Sequence, residues 1–391
     1  MHFRLFLKII LCVGMCYSSA TLAQESEFPL SAQKINNTFY ILTQQRPNGE
    51  ISIGISVGDD GIMLIDGLPN DNNEGLVEKV KSLSKKPVKF VLNTYSQESR
   101  TGANKLFQES GATVVSALDE FPTWLAANDS TADVVYSDQL RLYFNEEDIT
   151  LKRFRVHTLG DSVVKLNKSN VIFTSFAYVS NRLPQSENFD RQMDVYGYIL
   201  SNSDEDTLIV PGFGKLSNKK DLASYAHGLR EIKERSIELH KQGKDINTIT
   251  TDPAILGLAV QISTRINNEE ERFRSNENRV LRSIVSSIVL NHTYGDSIKL
   301  SDEELLSYTG SYQSENEDIY DIIFLDGMLR LGTMTTQYFT HEISPGAKDL
   351  FYIARNGTLV SFTRNSQGQV KGLSLDRNGE LTLATKIHGS E

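Results

Sequence analysis

The sequence predicts an α/β fold: a sandwich of mixed strands and helices, a helical segment behind it, and a small antiparallel β-barrel or sandwich at the C-terminal end. Three observations predict it. Strand-like and helix-like stretches follow one another as β-β-α-β-α-β between Ile51 and Val115, the order of a layered α/β fold. From Asn218 to about Asn291 the apolar spacing becomes helical. After Leu300 short strands return, divided by the turn pairs Asp326-Gly327, Asn356-Gly357, Gln367-Gly368 and Asn378-Gly379. Turn signals about every 10 to 30 residues suit a small antiparallel barrel or sandwich.

Taken in order, Ile51, Ile53, Ile55 and Val57 alternate with Ser52, Gly54 and Ser56, so a half-buried strand is expected. Asp59-Asp60-Gly61 turns the chain into the apolar run Ile62–Ile65, which reads as the returning strand. Asn70 to Asn73 can cap a helix carrying Leu76, Val80 and Leu83 at helical spacing. Val88 to Leu92 reads as a strand, a helix with Leu106 and Phe107 follows Gly102 and ends near Gly111, and Thr113–Val115 is the next strand. Leu140 to Phe144, Ile149 to Val156, Ser162 to Leu166 and Val171 to Thr174 are strand-like. A helix around Asp190 to Leu200 precedes a strand at Thr207 to Val210. In the helical segment Leu222, Tyr225, Ala226, Leu229 and Ile232 form one apolar stripe, as an amphipathic helix requires. Pro253 is expected to break a second helical stretch, and Val280, Ile284, Val285 and Ile288 mark another. The expected divisions are 1–23, 24–217, 218–296 and 297–391.

Residues 1–23 read as a secretory signal peptide: Arg4 and Lys8 at the start, an apolar core continuing through Ile9–Val13, and small residues at Thr21-Leu22-Ala23 for cleavage. The chain is therefore expected to be exported, periplasmic or secreted. Both cysteines, Cys12 and Cys16, lie in that segment, so the remainder offers no disulfide, thiolate ligand or cysteine nucleophile. Removing Arg4 and Lys8 from the 40 basic residues leaves 38 against 50 acidic ones, a formal charge of −12. That balance argues against nucleic acid and anionic membrane surfaces as partners. No later stretch is apolar and long enough for a membrane span.

Five segments, in order, carry a resemblance. They are "IGISVGDDGIMLID" (53–66), "FVLNTYSQESRTGANKLF" (90–107), "VHTLGDSVV" (156–164), "VIFTSFAY" (171–178) and "LIVPGFG" (208–214). Together they resemble the opening hairpin, the metal motifs and the strand ends of the metallo-β-lactamase-fold hydrolases, over roughly residues 33 to 291. The resemblance implies an αββα sandwich. It also implies a metal site at the strand ends, and there this sequence departs from the pattern. The first motif of the family reads Asn-Thr-His-x-His-x-Asp-His-x-Gly-Gly-Asn. Its ligand positions fall on Tyr95, Gln97, Ser99 and Arg100; the remaining ones fall on His157, Phe176 and Phe213. Only His157 is retained.

A catalytic zinc takes about three N, O or S donors and keeps one position open for water. Phe176 and Phe213 have no lone pair to give, and Arg100 places a permanent cation in the set. The expectation is no metal and no cofactor. What remains is a vestigial cleft of Tyr95, Gln97, Glu98, Ser99, Arg100, His157, Phe176 and Phe213. Phe176 and Phe213 either fill the emptied cavity or line a pocket for a ligand. Tyr95, Gln97, Glu98 and Arg100 either form a solvated loop or bind a carboxylate or phosphate through Arg100 and the helix start after it. The leading expectation is a metal-free pseudoenzyme. It would bind a small anionic or amphipathic ligand, or a protein partner, through the cleft or the C-terminal barrel. The alternative is an enzyme with a rebuilt acid–base site of Tyr95, Glu98, Arg100 and His157.

Two further patterns stand in the sequence. Gly54-Ile55-Ser56-Val57-Gly58 matches the nucleophile elbow of serine hydrolases. That elbow needs a strand, a sharp turn and a helix, and here the serine lies inside an alternating strand. "LLSYTGSYQ" (305–313) and the hairpins after it resemble small lipocalin-like barrels appended to secreted hydrolases.

Overall fold

The computed structural model describes residues 28–47, 49–118, 132–264, 271–295, 298–333, 338–377 and 379–387. The expected signal peptide lies outside the described residues, as do Asn378 and the expected division at 296/297.

The first sheet runs β1 (Leu30–Lys34), β2 (Phe39–Arg46), β3 (Gly49–Gly58), β4 (Gly61–Ile65), β5 (Val88–Leu92), β6 (Thr113–Ala117) and β7 (Val134–Tyr136), hydrogen-bonded in sequence order. The strands β1 to β4 pair antiparallel and β4 to β7 parallel. Parallel neighbours need crossovers. Helix α1 (Asn73–Leu83) supplies one, and α2 (Glu98–Thr101) with α3 (Asn104–Glu109) supplies the next. The second sheet has the order β12 (Leu208–Val210), β11 (Val171–Phe173), β10 (Ser162–Leu166), β9 (Glu147–Arg153) and β8 (Gln139–Phe144). Its one parallel pair, β11 with β12, is bridged by α4 (Phe189–Ser201), whose first turn is capped by the Asn188 side chain.

Three buried clusters stack these parts into four layers. Phe39, Met63, Leu92, Leu151, Val164 and Phe173 fill the space between the sheets. Ile53, Leu64 and Val91 meet Leu76, Val80 and Phe107 of α1 and α3 outside the first sheet. Val163, Ile172 and Ile209 meet α4, α5 (Lys219–Lys241) and the later helices outside the second. The result is an αββα sandwich in which the helices after Asn218 belong to one outer layer. The strand β3 differs from the half-buried expectation. Both its faces are buried, including Ser52 and Ser56, because helices cover one face of the sheet and the second sheet covers the other. At Gly54 a Cβ would come within 2.8 Å of Phe173 and 2.9 Å of Phe39, so only glycine lets those rings pack across the interior.

Further along are α6 (Ile246–Thr250), α7 (Pro253–Ile262) and α8 (Glu271–Tyr294). Pro253 does not break a helix. It opens α7 at the first turn, capped by the Asp252 side chain, where proline loses no hydrogen bond. Helix α9 (Asp302–Leu306) carries a capping box of Ser301 and Glu304.

The chain ends in a closed antiparallel barrel: β13 (Gly310–Ser314), β14 (Ile319–Leu325), β15 (Met328–Thr333), β16 (Tyr338–Ala347), β17 (Leu350–Ile353), β18 (Thr358–Arg364), β19 (Val370–Arg377) and β20 (Glu380–Ile387). Pairing of β13 with β20 shuts it, which removes the free sheet edges. The barrel is docked on the sandwich by ions. Asp326, at the tip of the β14–β15 hairpin, sits 2.9 Å from Arg153 and 3.0 Å from Arg155. Arg355 meets Glu187 at 2.7 Å, and Arg191 pairs with Glu342. Leu290 and Tyr294 of α8 add an apolar seam against Tyr352 and Ala354.

Candidate functional site

The site is the loop cluster at one end of the sandwich, and buried polar groups hold its frame. Asp66, just past β4, has φ 65°. Its carboxylate accepts from the Thr94 backbone N–H at 2.7 Å and the Thr94 hydroxyl at 2.8 Å. Asn93 and Asn104 exchange hydrogen bonds at 3.2 and 2.8 Å. These contacts fix the start and end of the segment that carries Tyr95 to Arg100.

Arg100 is 1% exposed. Its Nη1 donates to the Ser52 carbonyl at 3.1 Å, its Nη2 donates to the Gly212 carbonyl, and its Nε lies 3.9 Å from Asp66 Oδ2. The guanidinium therefore ties β3 and the loops after β4 and β12 together from inside. Burial pushes the Asp66 carboxyl above the ordinary carboxylate range, opposed by the Arg100 charge and the Thr94 hydrogen bonds. Gly212 can accept from Arg100 because the loop after β12 runs close to the loop after β11: a Cβ there would come within 2.3 Å of the Ser175 carbonyl.

Above Arg100 stands a column of rings. Phe213 lies under two guanidinium groups, Arg100 at 5.5 Å and Arg182 at 5.3 Å. Phe176 packs edge-on to Phe213 at 5.2 Å, stacks on His157 at 5.1 Å with an interplanar angle of 18°, and lies 4.6 Å from Tyr95. Tyr95 and His157 are 5.8 Å apart. Each such ring pair adds about 0.5–1.5 kcal/mol beyond the area it buries.

His157 is fixed by its backbone N–H, which donates to Asp161 Oδ2 at 2.7 Å, and by its ring, with Nδ1 2.9 Å from the Gln185 carbonyl. A carbonyl only accepts, so Nδ1 carries the proton. Burial, chiefly, holds the imidazole pKa below its ordinary value; Arg355 lowers it further, and the Gln185 carbonyl and Glu187 oppose. The ring is neutral.

The structure thus joins Tyr95, Arg100, His157, Phe176 and Phe213. It does not bring in Glu98, whose carboxylate accepts from the Asn70 backbone N–H at 2.7 Å. Gln97 stands at the start of α2 with its carbonyl accepting from the Arg100 and Thr101 N–H groups. Ser99 lies on the part-buried side of the same short helix. Two expectations are corrected here. The segment is not a solvated loop, since Tyr95 and Arg100 are buried. Nor does Arg100 face an external carboxylate or phosphate: it is 1% exposed, and two of its N–H groups donate to the Ser52 and Gly212 carbonyls.

A zinc ion does not fit these residues. The His157 imidazole is stacked on Phe176, and the Arg100 guanidinium is hydrogen-bonded in place at one of the positions where the resemblance would put a ligand. Among the described residues no group of three or more His, Cys, Asp or Glu is placed to hold a metal ion.

Beside this cluster is a cavity of about 450 Å³ between the sandwich and the barrel, walled by Gln185, Arg279, Arg282, His341, Arg355 and Asn356, among others. It shares Gln185 with the His157 hydrogen bond. The sequence reading missed this cavity. Arg279 and Arg282 gave no signal, because they stand three apart among other charged and polar residues of the same helix. Arg355 and His341 gave none either, because their approach depends on how the barrel docks.

No protein-family profile and no curated protein matches the chain. Solved structures do. A metallo-β-lactamase from Pontibacter korlensis is similar at 18% identity and a TM-score of 0.45, over 50% of this chain and 95% of that one. The metallo-β-lactamase IND-7 is similar at 18% identity and 0.44, over 51% and 96%, and DIM-1 at 18% and 0.43, over 50% and 95%. These are likenesses of fold.

Proposed function

We propose that the chain is a metal-free pseudoenzyme on a metallo-β-lactamase-like sandwich, exported from the cell, that acts by binding rather than by hydrolysis. One observation carries the reading: the metal positions hold a stacked aromatic column over a buried, hydrogen-bonded arginine. Hydrolysis in a zinc site needs a cation to lower the pKa of water from 15.7 to about 7. Here the available donors are one neutral imidazole and a tyrosine, beside a fixed positive charge. The change is also coordinated. Arg100, Phe176 and Phe213 come from three separate segments and support one another, as a rebuilt core would and scattered loss would not.

The alternative, a metal-independent acid–base site, has less support. Glu98 is turned to Asn70, and His157 has one ring nitrogen committed to Gln185. The test is turnover of a chromogenic β-lactam and a chromogenic ester by the protein with its first 23 residues removed, with and without zinc. The reading predicts rates equal to buffer in both. Zinc-dependent turnover abolished by His157→Ala would overturn it. Zinc-independent turnover lost in Tyr95→Phe would favour the acid–base site. Export is tested by sequencing the N-terminus of protein recovered from the extracytoplasmic fraction, which should begin near Gln24.

A further inference from the structure

Two opposite charges face the lumen of the C-terminal barrel. Side chains alternate along a strand, so Leu373, Leu375 and Arg377 share one face of β19, and Glu380, Thr382 and Ala384 share one face of β20. Leu373, Leu375 and Ala384 belong to the barrel core. Arg377 and Glu380 therefore turn inward, and both line a cavity of about 290 Å³ in the lumen. They stand directly opposite each other across the hairpin, where opposite charges ordinarily pair. Here neither side chain has an ion-pair or hydrogen-bond partner among the described residues. Both are exposed, which puts them at the cavity mouth.

The lumen is filled toward its other end, where Tyr308, Tyr312, Phe351 and Phe362 pack ring against ring. The cavity itself has an apolar wall of Leu331, Ile353 and Leu375. Two more polar groups reach it. Thr358 on β18 is the strand neighbour of Arg377, one step beyond the pair Leu359 and Asp376, and is 1% exposed. His341 comes from β16, on the far side of the barrel from β20. Thr358 Oγ1 and His341 Nδ1 are both buried without a hydrogen-bond partner among the described residues, which is costly unless something else supplies one. Burial, chiefly, holds the His341 imidazole below its ordinary pKa, and Arg355, Arg330 and Arg377 add to that against Glu187.

We propose that the barrel lumen binds a free α-amino acid: its carboxylate on Arg377 and Thr358, its ammonium on Glu380, and a side chain that crosses the lumen along Leu331, Ile353 and Leu375 and ends in a hydroxyl at His341. The guanidinium fork matches a carboxylate, and the Thr358 hydroxyl adds a donor beside it. Side chains opposite each other in a hairpin start about 4.5–5.5 Å apart, a gap that a compact zwitterion bridges. A simple anion would leave Glu380 unanswered, and a simple cation would leave Arg377 so. A hydroxyl suits His341 because it can give or take a hydrogen bond, whichever ring nitrogen holds the proton. The cavity lies at the small end of the range of about 300–1,000 Å³ for ligand pockets, which fits a single amino acid better than a lipid. The proposal rests on the reading of the chain as a binding protein and gives it a site and a ligand class.

The test is calorimetric titration of the protein with its first 23 residues removed. The probes are L-tyrosine, L-phenylalanine, tyramine, which lacks the carboxylate, and 3-(4-hydroxyphenyl)propionate, which lacks the ammonium. L-tyrosine should bind, each one-charge analogue at least tenfold more weakly, and L-phenylalanine at least fivefold more weakly. Arg377→Gln and Glu380→Gln should each weaken L-tyrosine about tenfold, the factor that about 1.4 kcal/mol makes. Both residues are exposed, so each variant should keep its unfolding midpoint, measured on the same samples. The site is overturned if neither amino acid binds at its solubility limit, if either one-charge analogue matches L-tyrosine, or if both variants stay within twofold of the parent. L-phenylalanine equal to L-tyrosine overturns the His341 assignment alone. Turnover of a chromogenic ester is measured in parallel. Turnover with amino-acid binding intact would overturn the non-catalytic reading alone, and absent amino-acid binding without turnover would overturn the site alone.

Discussion

Arg100→Met separates a structural arginine from an incidental one. The substitution keeps an unbranched side chain of similar reach and removes the charge and the donors. Two hydrogen bonds are lost, to the Ser52 and Gly212 carbonyls, and bonds from a charged donor contribute about 1.5–3 kcal/mol each. The carbonyls are then left buried without this donor, and Asp66 loses the guanidinium that lies 3.9 Å away. Methionine packing recovers part of this. Removing one member of a buried pair costs about 3–5 kcal/mol, and that is the expected loss. In urea it corresponds to a midpoint shift of about 1 to 2.5 M at a slope near 2–3 kcal/mol per molar. Adding Asp66→Asn should cost less in the Arg100→Met background than in the parent, by about 1 kcal/mol or more, because the two groups share one interaction. A loss below about 0.5 kcal/mol for Arg100→Met is the size of an ordinary surface change and would refute the view that this side chain holds the loops together.

Phe176→Ala should cost about 2–3 kcal/mol by thermal unfolding, below the full core value because the ring is part-buried; a neutral result would mean the aromatic column is not a packed core. The pH dependence of stability should carry the mark of His157. Its folded pKa lies below the ordinary 6.5, so the unfolded chain takes up the proton first. The stability it contributes is present above about pH 6.5 and is lost as pH falls through the folded value, at up to about 1.4 kcal/mol per unit. His157→Gln should therefore narrow the stability difference between pH 7.5 and 5.5, and equal slopes in parent and variant would contradict the assignment. Asp326→Asn takes away the carboxylate shared by Arg153 and Arg155 and should weaken docking of the barrel by about 2 kcal/mol, discounted from the buried-pair range for its partial exposure. Calorimetry should then resolve two transitions, or one transition at lower temperature; an unchanged endotherm would show that the apolar seam at Tyr352 carries the docking.

Much of the sandwich was legible because its elements announce themselves locally. The alternating isoleucines of β3, the apolar run of β4 and the apolar stripe of α5 each announce their element from neighbouring residues alone. Pro253 misled for a specific reason. Proline inside an apolar periodic stretch reads as a break, but one residue earlier Asp252 caps the first turn, and that pair is a helix start. The burial of both β3 faces was not legible, since Ser52 and Ser56 look solvent-facing until a second sheet lies on them. In the site, the residue types showed that zinc donors were gone. They did not show that Arg100 points inward, because its acceptors are the carbonyls of Ser52 and Gly212, groups that every residue has. The cavity at Arg279, Arg282 and Arg355 was invisible for the same kind of reason: its walls meet only when Asp326 docks on Arg153 and Arg155.

The central proposal, that the cluster of Tyr95, Arg100, His157, Phe176 and Phe213 is a packed core and holds no metal, is tested most directly by metal content. The protein with its first 23 residues removed is incubated with excess zinc, dialysed against metal-free buffer and analysed for zinc per chain. The account predicts a value near zero, and the same value for His157→Ala. One or two ions per chain that survive dialysis and are lost in His157→Ala would contradict it.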